Sequence, residues 1–382
     1  MKIAFFTDTY LPNVDGVVNS ILSYRKELER RGHHVSVFTS GTKNDEEENE
    51  DAEVFYFDSV RFPPYPQYKI ALFPFGSRQI VKEQGIQIVH SHAIASMGLA
   101  AVATAKTLNL PLVGTFHTMA PRAGFLVAKD EIGKSIFSAL TWQAIKQFYK
   151  PYDLVLAPTE TIQKMLNENG VAHTGVAPNG IDTQRFFPNH NGHLVREMMG
   201  IGENEHVVLT AGRISEEKNV DVLVKAAKIV LAKENAKFIV QGDGPARTKC
   251  IKLARKLGIS DHFFFTGFVK DFEVPFFYNA CDVFATASTF ETQGLSLLEA
   301  MGCGRISVGA DALAIPELIK PGKNGFLFQP FNEEEMADRL VEALRLSSKE
   351  RKRISRAARQ TALKYSIKNS TDVLLKQYKR VL

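Results

Sequence analysis

A chain of 382 residues, 45% hydrophobic, carries a formal net charge of +5. That length suits two domains of ordinary size, each with its own core. The charge is too mild to argue for a nucleic-acid partner, and no nucleic-acid motif is present, but it is compatible with an anionic membrane surface or phosphate ligands. Cys250, Cys281 and Cys303 lack metal or disulfide spacing, which predicts free thiols and a reducing, cytoplasmic setting. The first apolar run is broken by Asp8 and no run spans a bilayer, so neither a signal peptide nor a membrane helix is expected.

Residues 2–7 read as a buried parallel strand. A loop over 9–16 leads to a helix from about Val17, with Ile21, Leu22 and Leu28 on its inner face and Gly32 at its stop. A strand over 34–39 follows. This βαβ opening lacks Gly-x-Gly-x-x-Gly, so an ordinary dinucleotide fingerprint is not supported. Gly16 either offers its N–H to a phosphate or sits in a plain helix cap. Residues 45–53 are expected to form an acidic, solvated loop. The runs 61–69 and 73–75 set prolines and aromatics beside Arg61 and Lys69. They suit a packed loop, or one facing a membrane or an acceptor.

Strands are expected over 86–91 and 111–115. The second runs into Thr115-Phe116-His117-Thr118, which puts His117 beyond the carboxyl end of a parallel strand, where ligands bind. Residues 124–150 read as a helix that mixes Lys129, Lys134, Lys146 and Lys150 with Phe125, Leu126, Ile136, Phe137, Leu140, Trp142 and Phe148. It is an ordinary amphipathic helix or an interfacial one. Gly133-Lys134-Ser135 is not a phosphate loop, because Ala128 replaces the first glycine and no strand precedes it. A strand over 153–157, the turn Pro178-Asn179-Gly180-Ile181-Asp182 and the polar run 189–192 close the first domain.

The βα alternation then restarts. A strand over 206–210 runs into Ala211-Gly212-Arg213, with Lys218 shortly after and a helix over 220–233. Arg213 and Lys218 are a surface pair, or two cations placed to neutralise a diphosphate. A strand over 237–241 reaches Gly242-Asp243-Gly244-Pro245, a tight turn rather than an Asp-x-Asp metal site. A strand over 263–266 leads to Gly267-Phe268-Val269. A strand over 282–287 feeds the run 290–304, with a helix starting near Gly294. Free amides at such a start, near Thr292, Gln293, Gly294 and Leu295, make an anion site. Glu291 sits at its mouth and Glu299 further along the helix. Strands over 302–308 and 325–328 and helices over 333–346, 349–364 and 366–382 complete the chain.

The pair Glu291 and Glu299, in Glu-Thr-Gln-Gly-Leu followed by Leu-Glu-Ala, resembles the Glu-x7-Glu signature of retaining glycosyltransferases of family 4. The motif is similar to that of the diacylglycerol glucosyltransferases and phosphatidylinositol mannosyltransferases in it. The resemblance implies an α/β fold of the GT-B type, two Rossmann-like domains facing across a cleft. An acceptor-binding domain would cover 1–185, with the last helix, 366–382, crossing back to it. A nucleotide-sugar domain would cover 195–365. The resemblance implies catalytic roles for His117, Arg213, Lys218 and Glu291. Donor contacts would come from Gly16, Gly212, Gly242, Asp243, Phe268, Val269, Thr292, Gln293, Gly294, Leu295 and Glu299, with the loop 267–269 holding the base.

The expected reaction moves glucose or mannose from a UDP- or GDP-hexose to a membrane lipid, with no metal or other cofactor. The enzyme would be peripheral on the cytoplasmic membrane face. Relatives that glycosylate diacylglycerol often carry an acid just after the His-Thr pair, where this chain has Met119-Ala120-Pro121-Arg122. A soluble acceptor is the alternative within the class. A sugar-nucleotide epimerase or a non-catalytic sugar-nucleotide sensor would stand outside it.

Overall fold

Among the described residues fourteen strands form two sheets, and the apolar runs of the sequence supply their centres. They are β1 (Lys2–Thr7), β2 (His34–Gly41), β3 (Val54–Arg61), β4 (Lys69–Ala71), β5 (Ile88–Ser91), β6 (Leu112–Thr115), β7 (Leu154–Ala157) and β8 (Thr174–Val176), then β9 (His206–Ala211), β10 (Ala236–Gln241), β11 (Phe263–Gly267), β12 (Val283–Thr286), β13 (Ile306–Ala310) and β14 (Gly325–Phe328). This computed structural model describes the chain except residues 14, 48, 50, 62–68, 73, 127–129 and 190. The chain divides into two units, Met1–Gly180 with Ile367–Leu382, and Ile181–Ser366.

The first sheet has the order β4-β3-β2-β1-β5-β6-β7-β8 and the second β11-β10-β9-β12-β13-β14. Strand neighbours are parallel except β3 and β4. Parallel strands are covered by helices on both faces, which explains their continuous hydrophobic character. Phe5, Phe6 and Phe38 are fully buried in the first unit and Phe238 and Phe284 in the second. Each such side chain contributes about 1.5–3 kcal/mol by leaving water. Strand order reverses between β1 and β5 in one sheet and between β9 and β12 in the other. The crevice beyond the carboxyl ends of the strands at such a point is where open α/β sheets bind ligands.

Several expectations shift by a few residues. The first helix is Gly16–Arg30, with Ile21 and Leu28 buried but Leu22 only partly so. The strand expected from 302 begins at Ile306, because Gly304, at φ 69°, closes the helix before it. The stretch 124–150 is divided. A 3-10 turn covers Ala120–Leu126, and the helix Glu131–Tyr149 starts after Asp130, whose carboxylate accepts from the Gly133 N–H at 2.9 Å. Lys129 and most of the proline-aromatic run lie outside the described residues.

The acidic loop is a correction. Lys43–Glu47 is a short helix, and Asp45 is buried against Lys69 and Thr42. The charge count of the run concealed one acid with an interior partner. The last helix, Ile367–Tyr378, packs on Gly16–Arg30 within the first unit. It is tied by Arg31 to Asp372 at 2.5 Å and ends in the fully buried Tyr378. The three cysteines are free and buried. No helix among the described residues is long and apolar enough to cross a membrane.

Candidate active site

At the switch point of the second sheet, the loops after β9 and β12 close on one small cavity. Gly212, Arg213, Lys218, Gln241, Glu291 and Ser296 line it. The loop after β9 folds against the one after β10, backbone to backbone: the Ile214 N–H donates to Asp243 O at 2.9 Å. A Cβ on Gly242 would lie 2.0 Å from Gly212 O, so this approach needs glycine at 242. Asn219, in the left-handed region at φ 49°, bridges to the β12 exit. Its amide donates to Ala287 O and Thr289 Oγ1, both at 3.2 Å. Asn219 thereby holds the Lys218 loop on the loop that carries Glu291.

The ammonium of Lys218 lies 2.6 Å from Glu291 Oε1. Burial alone would raise the Glu291 carboxyl. The charge and hydrogen bond of Lys218, with a hydrogen bond from Ser288, hold it below its ordinary value. The Glu291 carboxylate is therefore ionised at neutral pH. Gly294, at φ 88°, lets the chain turn into the helix Leu295–Gly302, and no side chain caps that helix start. Its amides and the positive end of its dipole face the mouth of the helix. Thr292 is part-buried and Gln293 buried in the turn before it.

Glu299 stands further along the same helix, in different surroundings. Burial raises its carboxyl to about 7, although Tyr278 Oη donates to Oε2 at 2.7 Å. Asp243 is exposed in the loop after β10, where it accepts from the Gly244 N–H at 2.7 Å. Phe268 is exposed after β11 and Val269 half-buried beside it. Arg213, Lys218, Gly212 and Glu291 thus line one cavity, while Glu299 lies apart on the Tyr278 side. Among the described residues, no group of three or more His, Cys, Asp or Glu could hold a metal ion.

Gly16 and His117 belong to the first unit. At Gly16 the structure shows the helix cap: Asp15 Oδ1 accepts from the N–H groups of Val17 and Val18 at 2.8 and 2.9 Å. Space beside Gly16 is open. His117, after β6, meets two histidines that the motif reading passed over. His92 Nδ1 lies 2.8 Å from His117 Nε2. His90, at the end of β5, bonds Tyr378 Oη and Thr115 Oγ1, both at 2.7 Å. Burial lowers all three imidazoles, His90 to about 3 and His117 to about 4. They are neutral at physiological pH. The run His90-Ser91-His92 at a strand end was the available signal. Asn219 gave none, because its partners are main-chain or distant in the sequence.

Two doubly wound α/β sheets, parallel but for β3 and β4, make a fold of the GT-B type. The solved structure of HepE from Anabaena, in complex with UDP, superposes over 100% of both chains with a TM-score of 0.80 at 20% identity. The family models for glycosyl transferases group 1 and glycosyltransferase family 4 match residues 195–361 and 14–185. An alpha-monoglucosyldiacylglycerol synthase of Streptococcus pneumoniae is 32% identical over 90% of this chain and 78% of its own length. The enzyme of that name from Acholeplasma laidlawii is 30% identical over 89% and 87%. The chain belongs to glycosyltransferase family 4. It is a hexosyltransferase (EC 2.4.1.-) that draws its sugar from a nucleotide donor.

Proposed function

We propose that this enzyme transfers glucose or mannose, with retention and without a metal ion, from a UDP- or GDP-hexose to a membrane lipid of the diacylglycerol type. The observation that carries the donor reading is the Lys218–Glu291 contact at 2.6 Å beside Arg213, at an uncapped helix start. A diphosphate leaving group gains negative charge as its bond to the sugar breaks. Two cations and oriented amides stabilise that charge without rearranging, and one such contact is worth about 2–4 kcal/mol of barrier.

In this reading Arg213, Lys218 and the amides of Thr292, Gln293, Gly294 and Leu295 hold the diphosphate, with Gly16 and Gly212 giving close main-chain approach. Glu291 accepts from the sugar hydroxyls and Glu299 from the ribose hydroxyls. Gly242, Asp243, Phe268 and Val269 border the nucleoside, and His117 orients the sugar. The acceptor hydroxyl attacks the anomeric carbon on the face from which the diphosphate leaves. The new C–O bond forms as the sugar–phosphate bond breaks, and the hydroxyl proton passes to the departing phosphate oxygen. An α-linked donor then gives an α product, the configuration named for both relatives.

The lipid acceptor draws support from those relatives' names and from the helix Glu131–Tyr149. Ile132, Ile136 and Leu140 are 74%, 56% and 67% exposed on one stripe, and Lys146 and Lys150 continue it, both exposed. An apolar stripe ending in cations suits an anionic bilayer surface. We place the enzyme peripherally on the cytoplasmic face of the membrane.

The test is a panel of UDP- and GDP-hexoses ranked by thermal shift, followed by transfer from the best donor to diacylglycerol lipids in vesicles. Transfer to lipid that persists in EDTA is expected. A strict requirement for a divalent ion overturns the metal-free reading. Transfer only to water-soluble acceptors, with no flotation on anionic vesicles at low salt, overturns the lipid reading. Donor turnover to an epimer overturns both.

A further inference from the structure

We propose that His92 is a positioning residue that fixes the ring tautomer of His117 by donating its Nδ1–H to His117 Nε2. The inference rests on the reading of His117 as a contact of the donor sugar. The two nitrogens are 2.8 Å apart, and burial keeps both rings neutral, so one must donate and the other accept.

The choice between the two directions follows from the other nitrogen of His92. His92 Nε2 is buried and has no hydrogen-bond partner among the described residues. Were the His92 proton on Nε2, a buried N–H would be orphaned, which is rarer and more costly than an unused lone pair. The proton therefore sits on Nδ1 and points to His117. His117 Nε2 becomes the acceptor, and its own proton is confined to Nδ1. His117 then works as an N–H donor through Nδ1, suited to a sugar oxygen rather than to a hydroxyl proton.

The rest of the cluster holds His92 in place. The edge of Phe5 meets His92 with centroids 4.8 Å apart, and His90 lies 4.1 Å away on another side. The His92 main-chain N–H donates to Phe6 O at 2.7 Å. His90 is fixed in turn. Its Nδ1 lies 2.7 Å from Tyr378 Oη and its Nε2 lies 2.7 Å from the hydroxyl of Thr115, two residues before His117. The C-terminal helix thereby reaches the same group through Tyr378.

The test has a readout apart from catalysis. In 15N-histidine-labelled full-length protein, His117 should show a pyrrole-type Nδ1 and a pyridine-type Nε2. The reverse pattern overturns the proposal whether or not any sugar is transferred. His92→Phe, which removes the donor, should free His117 to exchange between tautomers and lower kcat about tenfold or more, with donor KM changed less than twofold. His92→Asn, whose amide N–H can take the place of Nδ1–H, should restore the single tautomer and recover most of that loss. Equal losses of kcat in both variants, with the His117 tautomer unchanged in each, also overturn it. Failure of all donors with the tautomer as stated would instead count against the sugar-transfer reading.

Discussion

The carboxyl ends of the two sheets are built from opposite chemistry. At the first, three imidazoles are held neutral by burial. The nearby Asp8 is committed elsewhere: its carboxylate accepts from the N–H groups of Ala95 and Met97 at 3.0 and 2.9 Å and so closes the start of the helix Ser96–Leu108. At the second sheet the helix start at Gly294 has no side-chain cap, and Lys218 and Glu291 stand beside it 2.6 Å apart. A carboxylate at a helix start occupies the place an anionic ligand would take. At the first sheet the start of the helix Ser96–Leu108 is therefore closed to an anion, and the imidazoles offer neutral hydrogen-bonding groups. The helix start at the second sheet is arranged to receive the charge. A sugar nucleotide, the donor proposed above, carries both a neutral polyol and an anion, so each kind of chemistry has a counterpart in it.

The largest way to break that contrast is Lys218→Ala. It removes a cation from the diphosphate site and leaves Glu291 partly buried without its counter-charge. Burial is then opposed only by the Ser288 hydrogen bond, and the Glu291 carboxyl should rise. Turnover is expected to fall about 100- to 1,000-fold. Thermal unfolding should move less, because protonation of Glu291 relieves the unpaired charge. Arg213→Ala tests the same site from an exposed position, so its loss should appear in turnover with the melting temperature unchanged. Wild-type turnover in either variant would remove the charged end of the comparison.

Much of this contrast was readable beforehand, and the reasons differ by residue. The switch-point strands β1, β9 and β12 are apolar runs, which made the βα alternation legible, while the GT-B class followed from the resemblance at Glu291 and Glu299. Glycine at 242 and 294 marks places where a side chain cannot be tolerated. What escaped were partnerships across long sequence separations. Asp45 looked solvated because Lys69 is 24 positions away, and His92 looked ordinary because His117 is 25 away. A plain helix cap is the alternative the sequence offers at Gly16, but a helix start does not reveal that the Asp15 side chain fills it. The environment of Glu299 was also out of reach. Its spacing from Glu291 is plain, but only the fold puts Tyr278 beside it and water out of reach.

A smaller effect should separate the two glutamates by pH. Glu299 is raised by burial to about 7, whereas Glu291 is lowered. If Glu299 accepts from the ribose hydroxyls as a carboxylate, donor affinity should weaken about tenfold for each pH unit below 7. Glu299→Gln should flatten that dependence. The sign for stability runs the other way. An acid raised on folding stabilises fully below its unfolded value of 4.5 and loses that contribution as pH rises to about 7. Glu299→Gln should therefore melt higher than wild type at pH 8 and near it at pH 4.5. A pH-independent donor KM in the wild type would show that Glu299 does not touch the donor in its ionised form.

The finest adjustment is Tyr278→Phe. The Tyr278 ring is buried, with Phe186 edge-on at 5.8 Å and 80°, and that packing survives loss of the hydroxyl. What disappears is the hydrogen bond at 2.7 Å to Glu299 Oε2. It favours the ionised carboxylate, so without it the Glu299 carboxyl should climb further above about 7. A charge-assisted bond of about 1.4 kcal/mol corresponds to about one pH unit. The break in donor KM should move up by that amount, while kcat at saturating donor stays near wild type. A break that stays in place would mean that another group titrates there. A fall in kcat at unchanged KM would mean that Tyr278 acts on the reacting sugar rather than on the acid that holds the ribose.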